Sequence, residues 1–211
     1  MKIAIIGSTG WIGSTIATEA LTRGHEVIGI ARDVNKLHPL ITYKRSFDFD
    51  NNDSLANAID GADVVVASVS GRAANNHATI TKAAERLLRE LPSTSVNRLV
   101  WVGGAGSLEV APGELLVNSD AFPDEYKAEA SFQVKALEIF RSTGSDVDWT
   151  FISPAAEIFP GVRTGKYRLG GDLLLTNEEG LSRISVEDYA FAFVNEIEKH
   201  AYPKQRIGVA Y

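Results

Sequence analysis

The chain has 211 residues, 45% of them hydrophobic and 23% charged, with a formal net charge of -6 and no cysteine. That length suits one domain with a substantial core, and the mix is that of a globular protein rather than a disordered one. Net acidity argues against a broad nucleic-acid or anionic-membrane surface; the missing thiols exclude disulfides, thiolate metal sites and a cysteine nucleophile, and suit a reducing cytoplasm.

Met1 leads straight into "KIAII" with neither the charged nor the long apolar region of a secretory leader. No run approaches the about eighteen apolar residues of a membrane span. The expectation is a cytoplasmic protein with no membrane or nucleic-acid partner.

Residues 2–6, "KIAII", read as a buried strand, and 11–24, "WIGSTIATEALTRG", as a helix closed by Gly24. "HEVIGIA" is a second strand, and a third lies near "YKRSFDF". "NNDSLANAIDGA" is a short helix from a polar cap to Gly61. "DVVVASV" forms a fourth strand, "NNHATITKAAERLLREL" a long amphipathic helix, and "VNRLVWVGG" a fifth strand. The helix "DEYKAEASFQVKALEIFRSTG" and the strand "VDWTFIS" follow. "GKYRLGGDLLL" predicts a hairpin hinged on Gly170 and Gly171. "SVEDYAFAFVNEIEKH" predicts a last helix, with Ser185 as N-cap and Asp188 at the capping-box position. This alternation predicts an α/β fold with a doubly wound parallel sheet. One domain is expected over 1–211, with a small substrate lobe over 154–183.

The first strand meets the first helix at "GSTGWIG". Leaving a buried strand for a helix within two residues needs the tight turn that Gly7 permits. Gly10 lets a pyrophosphate approach the backbone, and Gly13 lets helix and strand pack closely. The helix start offers free N–H groups to phosphates, and the Ser8 and Thr9 hydroxyls are further candidate donors. Trp11, inside the turn, is placed to lean over the pocket. At the second strand's end, "ARD" sets Arg32 before Asp33, and an arginine there suits a 2′-phosphate, favouring NADP while NAD remains open. Asp48 is a candidate for the adenine amino group and Phe49 for the ring. Ser68, Val69 and Ser70 are small enough to let a cofactor pass over the sheet, and Gly103 ends the fifth strand on the same side.

With "GSTGWIG", "ARD", "FDFD", "LVWVGGAGSL" and "SPAAEIFPGVRTGKYRLG" in place, the chain resembles atypical, extended short-chain dehydrogenase/reductases. Within them it is similar to the NADH-flavin reductase subgroup related to biliverdin-IXβ/flavin reductase. The resemblance implies a Rossmann fold, a nicotinamide dinucleotide, and hydride transfer to flavins or other conjugated small-molecule acceptors. By position it implies Gly7, Thr9, Gly10 and Ile12 at the pyrophosphate and Arg32 at the adenine ribose. It also implies Ser107 near the nicotinamide, and Pro154 and Ala155 at its carboxamide.

The superfamily's Tyr-x-x-x-Lys pair is missing, since Ala130 stands four residues after Tyr126. That pair protonates a carbonyl oxygen, whereas reducing a flavin or quinone can draw its proton from solvent. An NAD(P)H-dependent flavin or quinone reductase, with FMN or FAD as possible substrate, is therefore the leading reading. Ser107 and Tyr126 are the candidate catalytic residues, and Arg163, Tyr167 and Arg168 the candidate acceptor-binding residues. A non-catalytic NADP-binding redox sensor is the alternative; an isomerase or carbonyl reductase also stays open, as does the choice between monomer and dimer. The four histidines have no paired metal-ligand spacing, and Ser107 lies outside any G-x-S-x-G elbow.

Overall fold

In the computed structural model, which describes residues 1–211, the alternating pattern forms an eight-stranded sheet covered by helices on both faces. The chain runs β1 (Lys2–Ile6), α1 (Trp11–Thr22), β2 (Glu26–Ala31), β3 (Tyr43–Ser46), α2 (Leu55–Ile59), β4 (Val64–Ala67), α3 (Ala78–Glu90) and β5 (Arg98–Val102). The short strands β6 (Glu109–Ala111) and β7 (Glu114–Leu115) follow, then α4 (Asp124–Ser142) and β8 (Asp148–Pro154). Last come β9 (Glu157–Phe159), β10 (Arg168–Gly170), β11 (Arg183–Ser185), α5 (Val186–Lys199) and β12 (Gln205–Ala210).

The sheet order is β10-β12-β8-β5-β4-β1-β2-β3, parallel throughout except for the edge strand β10. β1 and β4 are direct neighbours, although β2 and β3 lie between them in the chain and on the other side in space. The winding reverses there, which opens a crevice beyond the C-terminal ends of these two strands.

Because side chains alternate across a strand, each inner strand feeds two cores. Ile3 and Ile5 join Val64, Val66, Val100 and Val102 under α1 and α5. Ala4 and Ile6 join Val65, Ala67, Leu99 and Trp101 under α3 and α4. Burial on both faces explains why these strands read as continuous apolar runs rather than alternating ones.

The expected hairpin at 165–175 is corrected. Arg168–Gly170 pairs antiparallel with β12, Arg168 facing Ala210, and Leu174 N–H donates instead to the Glu109 carbonyl. The sequence reading leaves "QRIGVA" unassigned, and this C-terminal strand supplies the partner that displaces the hairpin. Within the lobe, β9 and β11 pair parallel, with Glu157 opposite Arg183.

The expected capping box is half formed. Ser185 Oγ accepts from Asp188 N–H at 3.0 Å, but the return bond is absent, since Ser185 N–H donates to the Tyr211 hydroxyl at 3.2 Å. The Asp188 carboxylate instead accepts from Thr164 N–H (2.8 Å), Thr164 Oγ1 (2.6 Å), Gly165 N–H (2.7 Å) and Tyr211 Oη (2.7 Å). It thereby ties the lobe and the C-terminus to the start of α5. Burial pushes this carboxyl upward, but the bonds from Thr164, Tyr211 and Gly165 outweigh it and leave it below its ordinary value. A lowered carboxyl contributes stability above its unfolded value and loses it as acid titrates the folded group. Asp188→Asn is expected to cost about 2–4 kcal/mol at neutral pH. The gap to wild type should close in acid, below the ordinary aspartate range; denaturant midpoints measured across pH check this.

Candidate functional site

A cleft of about 1010 Å³ runs over the C-terminal ends of β1, β2, β4, β5 and β8. Its near wall is the glycine turn. Gly7 has φ +84°, and a Cβ there would lie 2.1 Å from the Ser68 carbonyl oxygen, so only glycine lets β1 leave the sheet beside β4. A Cβ on Gly13 would lie 2.3 Å from the Gly7 carbonyl oxygen, which accounts for the close seat of α1. No side chain caps α1 and no acid occupies its first turn, so its leading N–H groups face the cleft unspent.

Thr9, Gly10, Trp11 and Ile12 line this wall. Ser8 does not. It is buried, and its hydroxyl donates to the Ile30 carbonyl at 3.3 Å, which corrects the expectation of a phosphate donor. Gly13 likewise works from behind the wall, through packing.

At the far end, Arg32 lines the cleft and forms no ion pair with the protein. The Asp33 carboxylate is turned away: it accepts from Asn35 N–H at 3.1 Å and lies 3.8 Å from Lys36 Nζ. Asp48 and Phe49 stand in the wall, Phe49 buried edge-on to Phe47 at 5.0 Å. Ser68, Val69 and Ser70 pave the middle, and Gly103, Pro154 and Ala155 continue the wall beyond β5 and β8. A Cβ on Gly103 would meet the Phe151 ring at 2.2 Å, so this loop lies flat on the sheet.

The residues expected to do chemistry divide. Tyr126 lines the cleft, 42% exposed, with the Arg72 guanidinium over its ring at 4.9 Å. No ammonium serves it. Lys127 pairs with Asp124 at 3.5 Å and Lys135 lies over Phe132, and neither is in the wall. Ser107 is corrected: it is buried behind the loop, donates to the Gly104 carbonyl at 2.9 Å, and its own carbonyl accepts from Arg206 at 3.2 Å. It braces the Gly103–Gly106 segment rather than facing the cleft. Ser107→Ala is expected to cost about 1 kcal/mol in a denaturant melt.

Arg163, Tyr167 and Arg168 are also corrected, since none lines the cleft. Arg163 binds Glu19 at 2.9–3.1 Å and stacks on Phe191. Burial pushes the Glu19 carboxyl up, but Arg163 and Arg23 outweigh it and hold it low. The Tyr167 hydroxyl accepts from Asn195 at 2.7 Å, and Arg168 donates to the carbonyls of Thr176 and Tyr211. These side chains fasten the lobe to α1, α5 and the C-terminus.

Sequence reasoning missed a polar cluster at the acceptor end. Arg72 Nε donates to Glu129 Oε2 at 2.6 Å, and His77 Nδ1, buried and without a hydrogen-bond partner, lies 3.9 Å from the same oxygen. Gln133 accepts from Trp101 Nε1 at 3.1 Å. Glu129 and Gln133 follow Tyr126 by three and seven, one face of α4, and that spacing was the available signal. No three His, Asp or Glu side chains converge as a metal site would require, and no helix is long and apolar enough to cross a membrane.

The NAD(P)H-binding family model matches residues 7–197. The chain belongs to the NAD(P)H-binding family. Among members of known sequence, YwnB of Bacillus subtilis (strain 168) is 38% identical over 215 residues, spanning 99% of this chain and 98% of YwnB. Two solved structures superpose with TM-scores of 0.89 over the whole chain. One, from Burkholderia pseudomallei, is 42% identical with all of its chain covered, and carries the provisional name of an exported protein. The other, from Streptococcus pneumoniae TIGR4, is 34% identical with 99% covered, and is provisionally named an NADH-flavin reductase. The fold is a Rossmann sheet. The glycine cradle fits such a cofactor at the pyrophosphate: a Cβ on Gly10 would meet only Gly7 O, at 3.3 Å, leaving the space above it open.

Proposed function

We propose that this NAD(P)H-binding protein is an oxidoreductase that prefers NADPH and passes hydride to a flavin or quinone-like acceptor. The pyrophosphate would lie on Gly7–Ile12 and the leading amides of α1. The 2′-phosphate would meet Arg32, which lines the cleft and stands in no ion pair, near Asp50, whose carboxylate is held by Lys82 at 2.8 Å. The nicotinamide would lie between Gly103 and Pro154–Ala155, and when bound it supplies the hydride.

The observation that carries the acceptor class is Tyr126 without an ammonium, in a cleft whose wall also includes Leu116, Phe122 and Ile158. Apolar walls of this kind take a flat conjugated ring, and holding two rings face to face supplies much of the catalysis. The provisional name of the S. pneumoniae relative supports the same reading.

The test is anaerobic oxidation of NADPH, with NADH in parallel, on adding FMN or menadione. Saturable, protein-dependent oxidation is expected. NADPH binding without turnover on either acceptor would instead favour a redox sensor.

A further inference from the structure

We infer that a second binding site, for a phosphate dianion that is free or carried by a small molecule, lies at the N-terminal ends of β8 and β12. A pocket of about 500 Å³ opens there between the end of α4, the starts of those two strands and the turn after β10. It shares no lining residue with the cofactor cleft and stands apart from the hydride chemistry proposed above. Its charged residues are Arg141, Lys204, Arg206 and Asp172, three cations against one carboxylate. Such a local excess of positive charge, in a chain of net charge -6, suits a doubly charged anion.

Arg206 carries the assignment. Its side chain is 1% exposed, and a guanidinium so buried needs acceptors for its N–H groups. Nε donates to Asp172 Oδ1 at 2.7 Å and Nη2 to the Ser107 carbonyl at 3.2 Å, but Nη1 is buried with no partner in the protein. Asp172 is shared, since its Oδ1 also accepts from Arg141 at 2.6 Å, so one carboxylate serves two guanidinium groups. Arg206 lines the pocket, and an oxyanion seated there gives it the missing acceptor and the missing countercharge.

Lys204 adds an independent observation. It holds φ +53°, a left-handed conformation that residues with long side chains rarely adopt. Its N–H donates to the Trp149 carbonyl at 2.7 Å, which fixes the turn, while its Nζ meets the Ser145 carbonyl at 3.0 Å and no carboxylate. Glycine or asparagine would hold this turn with less strain, so the ammonium is the part of the residue that the turn does not explain. A tetrahedral dianion can accept from all three cations and matches their excess charge, which a single carboxylate does not. Phe140 and Trp149, also in the wall, offer an apolar flank to the body of a phosphate monoester.

The indole N–H signals of the isotope-labelled full chain test this without any turnover. Trp149 lines the pocket, Trp11 lines the cleft and Trp101 is fully buried, so each signal reports on its own place. Trp149→Phe identifies the signal of interest. At slightly alkaline pH, inorganic phosphate and phenyl phosphate should shift it to saturation, whereas sodium chloride at equal ionic strength should not. Arg141→Gln and Lys204→Gln, both at exposed positions, should each weaken the binding read at Trp149 about 10-fold. Arg32→Ala, in the cleft, should leave that binding unchanged. Tighter binding of phenyl phosphate would support the site and identify an ester as its ligand; equal or tighter binding of phosphate would support it and identify the free ion. A Trp149 signal that neither anion moves, that sodium chloride moves equally, or whose titration ignores both pocket substitutions would overturn the site.

Discussion

Replacing Gly7 by alanine is expected to destabilise the protein by about 3 kcal/mol or more and to abolish NADPH binding. Two costs add at this position. The backbone sits at φ +84°, which a side chain resists by about 1–3 kcal/mol. The new methyl also falls 2.1 Å from the Ser68 carbonyl, and backbone on both sides cannot yield as a flexible side chain could, so overpacking adds about 1–3 kcal/mol. Gly10→Ala separates binding from folding. Gly10 has φ -75° in extended backbone, and its Cβ would meet only the Gly7 carbonyl oxygen, at 3.3 Å. That variant should melt with wild type yet bind NADPH about 100-fold more weakly, because its methyl stands where a pyrophosphate must approach the amides. Denaturant melts and calorimetric titration of both variants check the pair. A Gly10→Ala protein that binds NADPH normally would remove the pyrophosphate from this turn.

Arg32→Ala is the second large effect. It should weaken NADPH binding about 30-fold, the value of about 2 kcal/mol for a hydrogen bond to a charged group, and leave NADH within about threefold. The direction follows from the neighbouring carboxylate. Asp33 caps its own turn through Asn35 N–H and pairs with Lys36, so it offers nothing to a ribose 2′-hydroxyl in the cleft. High salt should shrink the difference between the cofactors, since Arg32 is exposed and its attraction is screened. Equal losses for both cofactors would assign Arg32 to the adenine or ribose in general.

What could be read ahead of the structure was local. Apolar runs such as "KIAII" and "DVVVAS" mark strands buried on both faces, and "GSTGWIG" between strand and helix places its glycines by chain geometry alone. Ser185 as a helix cap is likewise a matter of neighbouring residues. What could not be read depends on contacts across the chain. β10 leaves its expected hairpin because β12, some forty residues later, offers a better edge. The basic residues of "RTGKYR" look free in sequence, but Glu19, Asn195 and the Tyr211 carbonyl absorb Arg163, Tyr167 and Arg168. Ser8 and Ser107 carry hydroxyls at suggestive positions, and each is turned inward to a carbonyl. The Arg72–Glu129–His77 cluster is the reverse case. Glu129 shares a face of α4 with Tyr126 and Gln133, which the spacing shows, but Arg72 and His77 come from another segment that meets it only when α3 packs on α4.

The most direct test mixes NADPH-loaded protein with excess FMN in the absence of oxygen and follows the loss of NADPH absorbance in a single turnover. A rate that saturates with FMN, is lost in Gly10→Ala, and is recovered by no other protein in the mixture is the expected result. Loaded protein that keeps its NADPH while FMN and menadione remain oxidised would contradict hydride transfer in this cleft.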